Sequence, residues 1–188
     1  IFGVCRKIIK RGVYRKCFNT AFAGDVPLGA GMSSSAALES AYAYAINDLF
    51  GENKIDKFEL AKVGQATEHN YIGVKCGIMD QFASVFGKEG SLMRLDCRSL
   101  EYQYFPFKPE GYRLVLVDSV VKHELASSAY NKRRQSCENV VAAIAKKHEG
   151  VEFLRDCTLE MLAEVKAEVS EEDYMRAEYV IEEIQRVL

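Results

Sequence analysis

The chain has 188 residues, of which 48% are hydrophobic and 28% charged, a balance that gives a globular protein a substantial core. Its net charge of −2 and pI near 6.0 exclude a long-range pull toward nucleic acid or an anionic membrane. Partners must therefore be recognised locally. Residues 1–11 mix apolar and basic positions like the tail of a helix, and Cys17–Val26 alternates as a strand should. The stretch Pro27–Ala37, Pro-Leu-Gly-Ala-Gly-Met-Ser-Ser-Ser-Ala-Ala, then leads into an alanine-rich helical stripe over Ser35–Phe50, ended by Gly51 and Asn53. The aromatic residues of that stripe read as core packing.

A second helix is expected from about Asp56 to Tyr71, with Glu68 and His69 at its far end. After a turn at Gly77, Ile78, Phe82 and Val85 share a helical face, which leaves Asp80 and Gln81 in the opening turn. Ser91–Asp96 and Tyr102–Pro106 read as a hairpin turning at Arg98–Leu100, and Pro109 with Gly111 marks a domain boundary. Tyr112–Asp118 is an apolar run typical of a buried strand. A polar loop containing Lys122, His123 and Glu124 follows, with His123 read as a structural hydrogen-bonding group. A long helix spans Tyr130 to about His148, and 159–188 is strongly helical, with acidic residues such as Glu171–Asp173 at helix starts.

Six cysteines (Cys5, Cys17, Cys76, Cys97, Cys137, Cys157) form no C-x-x-C pair and no metal-ligand spacing with His69, His123 or His148. They read as free thiols in a reducing compartment. With no apolar run near the ~20 residues of a bilayer span and no leader-like opening, a cytoplasmic setting is expected. The chain opens at Ile1 and stops at Leu188 inside a helical pattern, which reads as a piece of something longer.

The chemistry concentrates around Pro27–Ala37. Two glycines permit positive φ or a close backbone approach, and three hydroxyls sit where a helix begins and its first amides lack partners. That is a phosphate cradle, though a Gly-x-Gly turn with a serine cap also serves plain strand-to-helix connections. No lysine follows the last glycine and no third glycine is present, so it is neither a Walker loop nor a dinucleotide fingerprint. One serine suffices to cap a helix; the other two hydroxyls suit phosphate oxygens or a hydrated cation. Asp80 either serves its helix dipole or is a carboxylate aimed outward as a base.

Together these motifs resemble the GHMP family of small-molecule kinases. The Pro27–Ala37 loop is similar to that family's central phosphate-binding motif. Cys76–Gln81 (Cys-Gly-Ile-Met-Asp-Gln), Val121–Arg134 and Arg176–Val180 resemble its galactose-phosphorylating members, with order and spacing kept from Gly24 onward. The resemblance implies an α+β, two-domain architecture. Residues 1–110 would be the C-terminal part of the ATP-binding domain, and 111–188 the start of a ferredoxin-like C-terminal domain. It implies ATP and Mg²⁺ as cofactors and galactose as the acceptor, phosphorylated at its anomeric hydroxyl. Gly29, Ala30, Gly31, Met32, Ser33, Ser34 and Ser35 would wrap the phosphates, and Ser34 with Glu68 would hold Mg²⁺. Asp80 would be the base, with Gly77 and Tyr130 binding the sugar.

An earlier sugar-binding motif of the family, its adenine-gripping region and its late glycine-rich motif are not in this sequence. The 188 residues would then be the middle half of an enzyme, inactive alone. N-acetylgalactosamine, arabinose or galacturonate stay open as acceptors, as does a catalytically silent sugar and ATP sensor. A nucleic-acid-binding role is disfavoured by charge, no membrane partner is implied, and a monomer is expected.

Overall fold

The computed structural model describes residues 1–13, 17–117 and 126–187. Two compact units divide the chain, 1–124 and 125–188. The first begins with α1 (Phe2–Ile9), whose Val4 and Ile8 lie one helical turn apart and are buried. At Gly3 this helix comes so close to the next layer that an added Cβ would stand 2.5 Å from Thr67 Cγ2, so only glycine fits.

Helix α2 (Ser34–Gly51) is the long central helix of this unit. It ends on Glu52, in the left-handed region at φ 51°, and Asn47 secures the exit. The Asn47 carboxamide donates to the Ile55 carbonyl at 2.9 Å and accepts from the Ile55 amide at 3.1 Å, which satisfies both halves of a buried polar group. Helix α3 (Lys57–Thr67) starts on Asp56, whose side chain accepts from the Glu59 amide at 2.9 Å, an N-cap. Its last turn widens into a π-type turn over Glu68–Ile72. Helix α4 (Met79–Phe86) and an antiparallel hairpin follow, β1 (Ser91–Leu95) pairing with β2 (Tyr102–Pro106) in the register Ser91↔Pro106 to Leu95↔Tyr102.

An aromatic nest locks α3, α4 and the hairpin together. Phe82 and Phe86 stack with centroids 4.2 Å apart, Phe58 lies 4.9 Å from Phe86, and Tyr102 lies 5.0 Å from Phe86. The aromatics of α2 are packing residues as expected: Tyr42 is buried, and the Tyr44 hydroxyl donates to the Val85 carbonyl at 3.1 Å.

Two expected strands are not formed. Residues 17–26 are exposed and unpaired into any sheet, held instead by Thr20 on the Tyr42 hydroxyl at 3.1 Å and by Phe18 and Phe22 against Phe50 and Tyr42. Residues 112–117 are not a buried strand either; Leu114 and Val117 are 83% and 86% exposed. Alternation or apolarity tells which residues suit a strand, but a strand also needs a neighbour for its amides and carbonyls. Asp118 and the loop with Lys122, His123 and Glu124 lie outside the described residues.

The second unit is helical among the described residues, with α5 (Ala126–Ile144), a short turn at Leu154–Asp156, α6 (Leu159–Glu164) and α7 (Glu171–Val187). α5 starts earlier than the pattern predicts and stops at Ile144, where the chain tightens: the Lys147 and His148 amides both donate to the Ile144 carbonyl. Val140, Ile144, Leu162, Val165, Ala177 and Ile181 form its core. Glu171, Glu172 and Asp173 open α7 as the charge pattern predicts. Among the described residues no helix is long and apolar enough to cross a membrane.

One core position of the first unit is acidic. Glu39 of α2 is 7% exposed, and its carboxyl is pushed up from 4.5 to about 7, first by burial and then by the charge of Glu68, against a hydrogen bond from Gln81. Such a group takes up a proton on folding, so its contribution is complete below about pH 4.5 and is lost as pH rises through about 7.

In metal-free buffer, stability should therefore fall between these limits, and Glu39→Gln should remove that part of the slope, gaining on the native protein toward pH 8 in denaturant titrations. Phe82→Ala, which empties the aromatic nest, should cost about 3–5 kcal/mol in the same measurement.

Candidate active site

The loop ahead of α2 owes its shape to three residues with positive φ: Gly29 at 71°, Gly31 at 72° and Ser33 at 54°. A Cβ on either glycine would meet nothing within 4 Å, so glycine is required here by backbone conformation rather than by crowding. Ser33 is the residue just before the helix, yet its side chain makes no capping hydrogen bond. A non-glycine residue in the left-handed region is uncommon, and its hydroxyl is left for other uses. Ser34 and Ser35 form the first positions of α2, where the amides of the opening turn point away from the helix. Ala30 and Met32 complete the loop, Met32 being 41% exposed.

Beside the loop lies a cavity of about 650 Å³, walled by residues 20–24, Leu28 and Ser34 and floored by Ala37, Ala41 and Ala45 of α2. The alanines recur at helical spacing and leave the helix face flat. Ser34 is where this apolar groove meets the loop.

Glu68 is buried at the end of α3, 7% exposed. Its carbonyl closes the π-type turn by accepting from the Gly73 and Val74 amides at 2.8 and 3.1 Å. The segment before α4 is then fastened back onto α3, for Cys76 offers its carbonyl to His69 Nε2 at 2.8 Å and to Gln65 Nε2 at 3.4 Å. Gly77 follows at an exposed position, and Asp80 stands exposed in the first turn of α4. Tyr130 is 45% exposed on α5, in the other unit.

Behind Glu68 the polar groups converge where α2, α3 and α4 meet. Gln81, 2% exposed, lies between Glu39 and the Cys76 thiol, which it approaches at 3.9 Å. Burial and then the Glu68 charge push that thiol up. Glu39 Oε2 and Gln81 Oε1 are buried without a hydrogen-bond partner. Oxygen donors thus gather at this junction, while among the described residues no group of three or more His, Cys, Asp and Glu side chains could hold a metal ion; a divalent cation here would depend on oxygens from its ligand as well.

Glu39, Gln81 and His69 carry no assigned role in the sequence. A signal exists for Glu39: it falls on the same stripe of α2 as Ala36 and Ala43, three before and four after, and so must be buried when they are. For His69 and Gln81 the partner is the loop at Cys76, a contact that no periodicity reports.

The chain resembles several known proteins. Residues 1–88 match the GHMP kinases N terminal domain. The chain is 46% identical over 188 residues to the galactokinase of Thermotoga maritima, covering all of this chain and 51% of that protein. To the galactokinase of Clostridium tetani it is 37% identical over 186 residues, covering 98% of this chain and 47% of the relative. The crystal structure of Lactococcus lactis galactokinase complexed with galactose superposes with a TM-score of 0.79 at 25% identity, over 98% of this chain and 48% of that one. The chain therefore spans about half the length of the relatives it matches, and its residues 1–88 resemble the GHMP kinases N terminal domain.

Proposed function

We propose that this chain is the central part of an ATP-dependent sugar 1-kinase that converts galactose to galactose 1-phosphate, an intracellular step of galactose use carried out by a cytoplasmic monomer. The observation that carries this is the loop at the head of α2, in which Gly29, Gly31 and Ser33 hold positive φ and the Ser33 side chain makes no capping hydrogen bond. Identity of 46% to a galactokinase along the whole chain supports galactose as the acceptor. Residues 1–110 are assigned to the ATP-binding domain and 111–188 to the start of a ferredoxin-like domain.

In the proposed reaction the loop Gly29–Ser35 surrounds the ATP phosphates with amides and hydroxyls, and Ser34 and Glu68 hold Mg²⁺. The bound cation supplies charge neutralisation at the phosphate oxygens. Asp80 accepts the proton of the anomeric hydroxyl as its oxygen attacks the γ-phosphorus, and the bond to the bridging oxygen breaks to release ADP. Phosphoryl transfer depends chiefly on alignment and charge neutralisation, so a weak base suffices if it holds the hydroxyl in line. The Gly77 amide and the Tyr130 phenol are assigned to the sugar. Fastening of the Cys76 carbonyl by His69 and Gln65 keeps the backbone beside Gly77 in place.

The test is a coupled ADP-release assay on the full-length protein with a panel of monosaccharides. Turnover should be greatest with galactose; turnover with none would sink the kinase assignment, and a preference for another sugar would correct the acceptor. Asp80→Asn should lower kcat by about 10²–10⁴-fold with ATP binding retained, and near-native turnover would remove Asp80 from the chemistry. Ser34→Ala should raise the Mg²⁺ concentration needed for half-maximal rate while leaving the KM for sugar in place. An unchanged Mg²⁺ requirement would move the ligand role to a neighbouring serine.

A further inference from the structure

Carboxylic acids are rarely buried unless something holds them, and Glu39 is 7% exposed in the middle of a helix. It receives a hydrogen bond from Gln81, while its Oε2 and Gln81 Oε1 have no partner. Each buried orphan costs stability, so an apolar residue here would serve packing alone better. Helix α3 also gives way to the pair: a Cβ on Gly64 would stand 2.8 Å from Gln81 Cγ and 3.4 Å from Glu39 Oε2. Three helices are thus shaped around one polar contact.

Each of those helices carries a residue of the proposed reaction. Glu39 lies one turn beyond Ser35 on the same face of α2, Gly64 lies one turn before Glu68 on α3, and Gln81 adjoins Asp80 at the start of α4. We propose that Glu39 is a positioning residue for the metal-binding edge of the site, fixing through Gln81 the distance between the head of α2, Glu68 and the start of α4. The proposal rests on the phosphotransferase assignment above. Glu39 touches neither substrate nor metal; it sets where the groups that do so stand. Partners that orient metal ligands commonly carry 10–100-fold of metal affinity.

The experiment uses the full-length protein, with binding of Mn²⁺·ADP measured by titration calorimetry and the Mg²⁺ dependence of turnover measured separately. Glu39→Ala should weaken Mn²⁺·ADP binding about tenfold or more and raise the Mg²⁺ requirement to match, with the KM for sugar changed less than twofold. Glu39→Gln keeps an acceptor for Gln81 and adds a donor for its orphaned oxygen, so it should restore Mn²⁺·ADP affinity to within about threefold of native. Gln81→Asn, which shortens the contact without opening a large hole, should reproduce the defect and serves in place of Glu39→Ala if that variant does not fold. Mn²⁺·ADP affinity within twofold of native in both Glu39→Ala and Gln81→Asn, or a loss confined to melting temperature, would overturn the proposal. A native protein that binds Mn²⁺·ADP but phosphorylates no monosaccharide would instead sink the sugar-kinase assignment, with the Glu39 effect on metal binding still read from calorimetry.

Discussion

Everything in the first unit depends on α2, α3 and α4 approaching one another closely enough at Gly64. A side chain there would collide with Gln81 and press on Glu39, so the absence of one lets α3 seat Val63 and Leu60 in the core while polar groups meet beside them. The crossing fixes where each helix begins and ends relative to the others. Those ends carry the loop serines, Glu68 and Asp80. A site assembled from helix termini is only as well defined as the packing of the helices behind it.

The same crossing concentrates negative charge. Glu39 and Glu68 are both buried at the junction, and burial followed by the Glu68 charge raises the Glu39 carboxyl and the Cys76 thiol. Left to itself this arrangement is costly, because burying charge without a counter-charge is one of the larger penalties in folding. Under the proposed function the cost is offset at the outer edge, where a cation and phosphates would come beside the loop in which Gly29, Gly31 and Ser33 hold positive φ. Stability given up at a site and chemistry gained there are familiar companions.

The second unit follows simpler rules. Its helices are joined by apolar contacts around Val140, Leu162 and Ile181 and by a polar seam in which Arg176 donates to Ser136 at 2.9 Å and Asn139 to Asp173 at 3.1 Å. Arg176 was singled out by motif, and its observed work is to join α7 to α5. A motif residue can recur for packing as well as for chemistry.

Sequence alone determined what is local. The bounds of α2, α3, α4 and the hairpin follow from helical and alternating periods, from the Asp56 cap and from the turn at Arg98–Leu100, since each reflects residues a few places apart. The loop chemistry was legible for the same reason, whereas the roles proposed for Ser34 and Glu68 rest on the resemblance to a family, and that of Asp80 on the resemblance together with its place in the opening turn of a helix. Tertiary structure decided which polar groups are buried, that Glu39 and Gln81 meet over Gly64, and that His69 holds the Cys76 carbonyl. It also decided that 17–26 and 112–117 do not pair as strands. These depend on partners far away in the chain or on a neighbouring strand, and a one-dimensional pattern records a residue's preference for burial or pairing without recording what arrives to bury or pair it.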